Sequence, residues 1–278
     1  MKKFLALTLA LVMSLSLVAC GDKKTDDTKT DEPDQKTEQP AENEGAYKVA
    51  MITDYGDITD QSFNQTTYEA CKAFAEDNGV EFSYFKPAGD NTADRVAMIE
   101  KAADEGYNVI VMPGYAFGGA IVEAAPEFPD VKFIALDVAA GDLLETAVAN
   151  AGESYDFNPS NWDLNKYVDM SNVYCAVYQE ELCGYMAGYA AVKLGYKNLG
   201  FLGGMAVPAV VRYGYGFVQG VDAAAADLGL TDVSLNYVYG GQFFGDADIT
   251  AVMDTWYAGG TEVVFACGGG IYTSAVDA

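Results

Sequence analysis

The chain has 278 residues, enough for one large domain or two lobes of ordinary size, and it carries a formal net charge of −25. That charge argues against a nucleic-acid-binding protein, since such proteins present a basic face to the phosphates. The sequence contains no histidine, which excludes histidine-based triads and histidine-ligated metal sites, and its cysteines form no CxxC pair.

The first 20 residues are predicted to be a lipoprotein signal peptide. Lys2 and Lys3 precede an apolar stretch, residues 4–18, that is short for a membrane span. The stretch runs into LVAC, so Cys20 is the predicted site of lipid attachment. An ordinary secretory signal with an incidental cysteine is the alternative.

Residues 21–46 contain no Val, Ile, Leu, Phe, Tyr or Trp. Such a segment buries too little apolar surface to offset the entropy lost on ordering. We therefore expect a disordered tether here, with the folded part starting near Tyr47.

From Tyr47 onward, apolar runs alternate with helical patterns. Strands are predicted at residues 47–53, 80–86, 108–114 and 131–137, with a helix after each of the first three. This alternation is typical of a parallel sheet with right-handed crossovers, an α/β fold.

Residues 138–171 are long, polar and aromatic, and they show no clear period. A segment of that length in a compact domain is usually functional or an insertion. We therefore predict a first lobe over residues 47–178 with an insertion at about 138–171. Tyr155 and Trp162 in this segment could form a lid or could pack on the surface.

A second series of strands and helices follows, predicting a second lobe over residues 179–278. Small residues on one face of the helix at 180–195, among them Gly184 and Gly188, favour close helix packing. The helix begun at Tyr272 stops within two turns with no returning strand. We therefore expect a second lobe that is cut at its C-terminus and incomplete.

The loop after the first strand, DQSFNQ at residues 60–65, carries a large ring where small polar residues are usual. Phe63 either packs into the core or faces outward to touch a ligand. The residues alone leave both open.

Six segments, in this order, resemble the basic membrane protein family of lipoproteins, the PnrA-like purine nucleoside receptors. They are residues 60–65 (DQSFNQ), 108–117 (NVIVMPGYAF), 128–137 (FPDVKFIALD), 172–191 (NVYCAVYQEELCGYMAGYAA), 199–220 (LGFLGGMAVPAVVRYGYGFVQG) and 260–270 (GTEVVFACGGG). The resemblance covers nearly everything after the tether. It implies a two-lobed type I periplasmic-binding-protein fold, each lobe a parallel sheet flanked by helices, that serves an ABC importer.

The resemblance also implies a site for the purine base between the lobes. Phe63 would stack on one side of the base and Tyr213 on the other, in place of the family's phenylalanine. Asp60 and Asn64 would hydrogen-bond the edge of the base.

The same resemblance implies a site for the sugar. Asp137, at the end of a strand, would accept a hydrogen bond from a ribose hydroxyl, although a turn or cap is the alternative for this residue. Gly268 and Gly269 would let the backbone approach the sugar. Tyr213 is chosen over its neighbours Tyr215 and Phe217 as the ring that faces the cleft.

The function implied is that of a lipid-anchored, extracytoplasmic substrate-binding protein that is not an enzyme and needs no cofactor or metal. Its expected partners are a small-molecule ligand, the permease of an ABC transporter and the membrane, with no nucleic acid. A binding protein of the same fold for a sugar or autoinducer is one alternative, and a nucleoside-processing enzyme is another.

Overall fold

The computed structural model describes residues 47–278, which form two parallel sheets flanked by helices. The predicted signal peptide, Cys20 and the tether lie outside the described residues. The part that carries the first sheet, residues 47–178, is called the first lobe below, and residues 179–278 are called the second lobe.

The first sheet has five parallel strands in the order β2-β1-β3-β4-β5. They are β1 Lys48–Ile52, β2 Glu81–Phe85, β3 Val109–Pro113, β4 Lys132–Leu136 and β5 Val173–Ala176. Strand β1 is buried on both faces: Ala50 and Ile52 belong to one core cluster, and Val49 and Met51 to another. Its near-continuous apolar sequence is what such a strand requires.

Four helices cover this sheet. They are α1 Phe63–Asn78, α2 Thr92–Asp104, α3 Gly118–Ala124 and α4 Ala140–Asn150, with a 3₁₀ turn at Tyr115–Phe117. Helix α1 packs on one face through Cys71, and the other three lie on the opposite face around Phe117 and Phe133. The carboxyl ends of the parallel strands lie at one edge of the sheet, and ligands bind at such ends in open α/β sheets.

The expectation that residues 138–171 lack a regular period is wrong for α4. Leu143, Leu144, Ala147 and Val148 are buried on one face of this helix, so the first part of the segment is an ordinary helical crossover between β4 and β5. The rest of the segment forms two 3₁₀ turns, at Pro159–Asn161 and Leu164–Lys166.

The second sheet has three parallel strands in the order β7-β6-β8. They are β6 Asn198–Gly203, β7 Ser234–Tyr239 and β8 Val263–Cys267. The helices of this lobe are α5 Glu180–Lys193, α6 Pro208–Leu228, α7 Ala247–Ala258 and α8 Tyr272–Asp277. Helix α6 begins at Pro208, a residue that suits a first helical turn.

Helices α5 and α6 pack with their backbones in close contact. A Cβ on Gly184 or Gly188 would overlap the carbonyl of Tyr213 or Phe217 on α6. The predicted close packing of α5 through small residues is therefore confirmed, and it fixes α6 beside the start of α5.

Candidate ligand-binding cleft

A cavity of about 670 Å³ lies where the carboxyl ends of the two sheets face each other. Both lobes line it, and it contains the seven side chains or backbones predicted from the sequence: Asp60, Phe63, Asn64, Asp137, Tyr213, Gly268 and Gly269. Loops that follow parallel strands all emerge at this edge, which explains how residues so far apart in the chain meet.

Asp60 organises the loop that carries Phe63. Its Oδ1 accepts hydrogen bonds from the backbone N–H groups of Ser62 (2.8 Å) and Gln65 (3.1 Å). These are donors at the start of α1 that have no partner within the helix, so the carboxylate acts as a cap. Phe63 is the first residue of α1, so this cap fixes the start of the helix that carries the ring.

Asn64 is held by hydrogen bonds within the loop that carries Phe63. Its side chain is buried, and its Nδ2 donates both to Asp54 Oδ1 (2.9 Å) and to Asp60 Oδ2 (2.9 Å). Its Oδ1 accepts from the backbone N–H of Asp54 (3.2 Å). An amide has two hydrogens to donate, and both are used within the loop, so Asn64 has none left to donate to a base.

Phe63 is half-buried on the wall of the cleft and belongs to none of the core clusters. Its ring meets Tyr178 edge to face, with centroids 6.4 Å apart and planes at 80°. Tyr178 lies in the segment that joins the lobes. Of the two positions considered for Phe63, the structure places it at the cleft.

Tyr213 lines the cleft from α6 in the second lobe. Its ring meets Phe265 of β8 edge to face, with centroids 6.1 Å apart. Tyr215 is 64% exposed and Phe217 is buried in the core, and neither lines the cavity. Burial raises the pKa of the Tyr213 phenol, so this side chain is neutral at physiological pH.

Asp137 leaves β4 with φ of +59°, a left-handed conformation that few residues other than glycine adopt. Burial and the neighbouring Glu180 raise the pKa of its carboxyl to about 7, and Arg212 offsets only part of that shift. Arg212 Nη2 lies 3.5 Å from Asp137 Oδ1, and Arg212 Nε donates to Glu180 Oε2 at 2.6 Å. Neither Glu180 nor Arg212 was predicted from the sequence.

Gly268 and Gly269 have φ of +125° and +48°, which requires glycine or strain. A Cβ on Gly268 would come within 2.7 Å of the Phe243 ring, and one on Gly269 within 2.8 Å of its carbonyl. The two glycines therefore make room for Phe243 in the loop after β7 as well as lining the cavity.

Several aromatic and acidic residues of the cleft were missed. They are Asp54, Tyr55, Tyr115, Tyr178, Glu180, Phe243, Phe244 and Phe265. Asp54, Tyr55 and Tyr115 follow directly on predicted strands, and this position was the one available indication in the sequence. Tyr155 and Trp162 pack on each other, 5.7 Å between centroids, and do not line the cavity, so the structure gives no support to a lid formed by them.

The charged residues that line the cleft are all acidic: Asp54, Asp60, Asp137 and Glu180. Two arginines of the described part adjoin this lining, and both are already paired. Arg212 is paired with Asp137 and Glu180, and Arg95, whose Nε donates to the Asp54 carbonyl at 3.2 Å, is paired with Asp90. A low-dielectric cleft with this lining disfavours anions such as phosphate esters and suits a neutral ligand that donates hydrogen bonds.

Within residues 47–278, no group of three or more Cys, Asp or Glu side chains is arranged to hold a metal ion. Over the same residues, no helix combines the length and the apolarity needed to cross a membrane. No disulfide joins the four described cysteines.

The sequence profile of the family described as ABC transporter substrate-binding protein PnrA-like matches residues 47–278. The chain is 25% identical over 231 residues to the ABC transporter nucleoside-binding protein BmpA of Lactococcus lactis subsp. cremoris, covering 81% of this chain and 56% of that protein. It is 24% identical over 277 residues to the CD4+ T-cell-stimulating antigen of Listeria innocua, covering 97% of this chain and 66% of that protein. The chain thus spans between about half and two thirds of the length of these relatives.

A solved ABC transporter solute-binding protein from Aeropyrum pernix K1 superposes with a TM-score of 0.63 at 22% identity, covering 83% of this chain and 57% of that chain. This likeness concerns the fold. The predicted fold class, parallel sheets flanked by helices as in solute-binding proteins, is confirmed.

Proposed function

The chain belongs to the PnrA-like family of ABC transporter substrate-binding proteins, and we propose that it binds a purine nucleoside between its lobes and presents it to the permease of an importer. The observation that carries the proposal is that two aromatic residues from different lobes, Phe63 and Tyr213, line one cleft. The name of the Lactococcus lactis relative, a nucleoside-binding protein, supports the same ligand class.

The base would lie between Phe63 and Tyr213. Each ring is held by an edge-to-face neighbour, Tyr178 for the first and Phe265 for the second. Rings fixed in this way present flat faces at little entropic cost. Stacking of a base on a protein aromatic contributes roughly 1–3 kcal/mol by alanine substitution.

The sugar would lie towards Asp137 and the glycines at the end of β8. A carboxylate accepts hydrogen bonds from hydroxyl groups, and such charge-assisted bonds are roughly twice as strong as neutral ones. Gly268 and Gly269 have no side chains to keep a sugar away from the backbone.

The charge of the cleft favours a nucleoside over a nucleotide. A 5′-phosphate would enter a cleft lined by four carboxylates, and the two arginines that adjoin the lining, Arg95 and Arg212, are already paired. A neutral nucleoside meets no such penalty.

We also propose that the protein is attached to the outer face of the membrane through Cys20.

The protein is proposed to bind its ligand without catalysis. A nucleoside-cleaving enzyme would need an activated water, and a sugar-binding protein would need polar groups at the positions of Phe63 and Tyr213. The aromatic pair makes a purine receptor the better fit to this cleft.

A ligand screen by thermal shift tests the proposal. Guanosine, adenosine and inosine should raise the melting temperature, because a ligand at 100 times its Kd adds about 2.7 kcal/mol of stability. Inosine 5′-monophosphate, ribose and glucose should raise it less or not at all. A rise with sugars alone would contradict the proposal.

A product assay tests the absence of catalysis. The protein is incubated with inosine, and free hypoxanthine is measured. We expect no hypoxanthine above the level of a protein-free sample. Its release in proportion to protein concentration would show that the chain is an enzyme.

A further inference from the structure

Arg212 makes an ionic connection between the two lobes that the proposed function does not use. Its guanidinium stands on α6 in the second lobe. It reaches Glu180 at the start of α5 (Nε to Oε2, 2.6 Å) and Asp137 at the end of β4 in the first lobe (Nη2 to Oδ1, 3.5 Å). Both carboxylates line the cleft.

We propose that Arg212 is a positioning residue for the ligand: it ties the two walls of the cleft together and holds the Asp137 carboxyl in place to accept a sugar hydroxyl. This inference rests on the proposed function, since it names how the nucleoside site is kept ready.

Glu180 fixes the direction of the guanidinium. The Glu180 side chain is only 4% exposed, and a carboxylate that buried needs a charged partner. Arg212 supplies it through Nε, which sets the plane of the guanidinium and directs Nη2 across to the first lobe. A lysine has no second donor in a fixed fork, so it could not hold both carboxylates in this way.

Ionisation of the Asp137 carboxyl depends on Arg212, because the other charged neighbours of Asp137 oppose it. Glu180 on α5 and Asp142 on α4 both raise the pKa of the Asp137 carboxyl, as does burial, and Arg212 on α6 lowers it. The phenols of Tyr178 and Tyr213 also lie near this carboxyl, and the pKa of each is raised, so they carry no charge at neutral pH.

The sign of the pH effect follows from these neighbours. With a pKa of about 7, Asp137 is mostly ionised at pH 8 and mostly protonated at pH 6. If the ionised form binds the hydroxyl, nucleoside affinity should fall roughly tenfold between pH 8 and pH 6. Removing the Arg212 charge leaves only neighbours that raise the pKa of Asp137, so the same fall should move to higher pH.

The test is calorimetric titration with inosine across pH 5.5–9 for wild type, Arg212→Gln, Arg212→Lys and Asp137→Asn. We expect Arg212→Gln to bind about tenfold more weakly at pH 7.5, with its pH midpoint raised. Arg212→Lys should restore part of the affinity and bring the pH midpoint part of the way back to the wild-type value. Asp137→Asn should remove the pH dependence through neutral pH. Hypoxanthine, which has the base and no sugar, should bind Arg212→Gln and wild type alike.

A carbon NMR titration of the Asp137 carboxyl in the unliganded protein gives a readout that needs no ligand. Its midpoint should rise by about one pH unit in Arg212→Gln, as expected on loss of a nearby opposite charge, and Arg212→Lys should reverse part of the rise. Circular dichroism confirms that each variant is folded.

The outcomes separate the two claims. If wild type binds none of the nucleosides, the proposed function fails, and with it the role of Arg212 in ligand binding. If wild type binds inosine and Arg212→Gln keeps both its affinity and its Asp137 midpoint, the proposed function stands and the inference about Arg212 is wrong.

Discussion

Asn64 shows at the scale of a single residue how a side chain beside a cleft can act on it indirectly. Its amide joins Asp54 at the end of β1 to Asp60 at the start of the Phe63 loop. The position of the Phe63 ring therefore depends on an amide that has no donor left for the ligand.

Asn64→Ala should lower the free energy of unfolding by about 1–3 kcal/mol, because it leaves buried polar groups of the loop without partners. A urea melt measures this loss. Lys72→Ala, an exposed change on the same helix, is the control and should stay within about 0.5 kcal/mol of wild type. An Asn64→Ala variant as stable as wild type would show that the network is dispensable.

The seven residues singled out in the sequence line one cleft, but the contacts that their side chains make there were not predicted. They lie in loops or early helix turns that come after strands whose carboxyl ends meet, and this topology brings them together. Arg212 and Asp137 are 75 positions apart, and their contact depends on how α6 sits against the first lobe. No local pattern in the sequence encodes such a pair.

At the scale of elements, α4 shows why one helix was missed. Its N-cap is Ala139, which has no side-chain acceptor, although Asp142 reaches back to the Ala139 N–H at 2.7 Å. Its buried residues, Leu143, Leu144, Ala147 and Val148, all lie in the first part of residues 138–171. The long polar remainder hides their helical period when the segment is taken as a whole.

The α5–α6 contact gives the prediction that belongs to this scale. Gly188→Ala improves helix propensity by about 1 kcal/mol. It also places a Cβ against the Phe217 carbonyl, which belongs to a helix backbone and cannot move without disturbing that helix. We expect the steric cost to exceed the gain in helix propensity, so the variant should lose about 1–3 kcal/mol of stability.

Thermal and urea melts of Gly188→Ala measure the net change in the free energy of unfolding. Ala190→Ser, on the exposed side of the same helix, is the control and should change stability little. A Gly188→Ala variant more stable than wild type would mean that α5 and α6 can move apart, against the close packing described here.

At the scale of the whole molecule, the proposal joins a membrane anchor, an acidic tether and a two-lobed receptor in one chain. Cys20→Ala should abolish incorporation of a palmitate analogue during expression in a bacterial host, while the wild-type chain should be labelled. The readout is in-gel fluorescence of the purified protein. Equal labelling of both chains would contradict lipid attachment at Cys20.

The central claim is that Phe63 and Tyr213 hold a purine base between the lobes. The most direct test is calorimetric titration of Phe63→Ala with inosine, together with a urea melt of the same variant. Loss of one stacking ring should weaken binding about 5–150-fold, at 1.4 kcal/mol per tenfold. The melt should change little, because Phe63 lies outside the core clusters.

Tyr213→Phe should bind nearly as wild type because stacking needs no hydroxyl, and Tyr213→Ala should weaken binding as Phe63→Ala does. Tyr215→Ala, an exposed ring on the same helix and off the cleft, should leave affinity unchanged. A core phenylalanine behaves in the opposite way, costing about 3–5 kcal/mol of stability when truncated. If Phe63→Ala unfolds early yet each folded molecule binds inosine as wild type does, Phe63 is a packing residue and the base is not held by this pair.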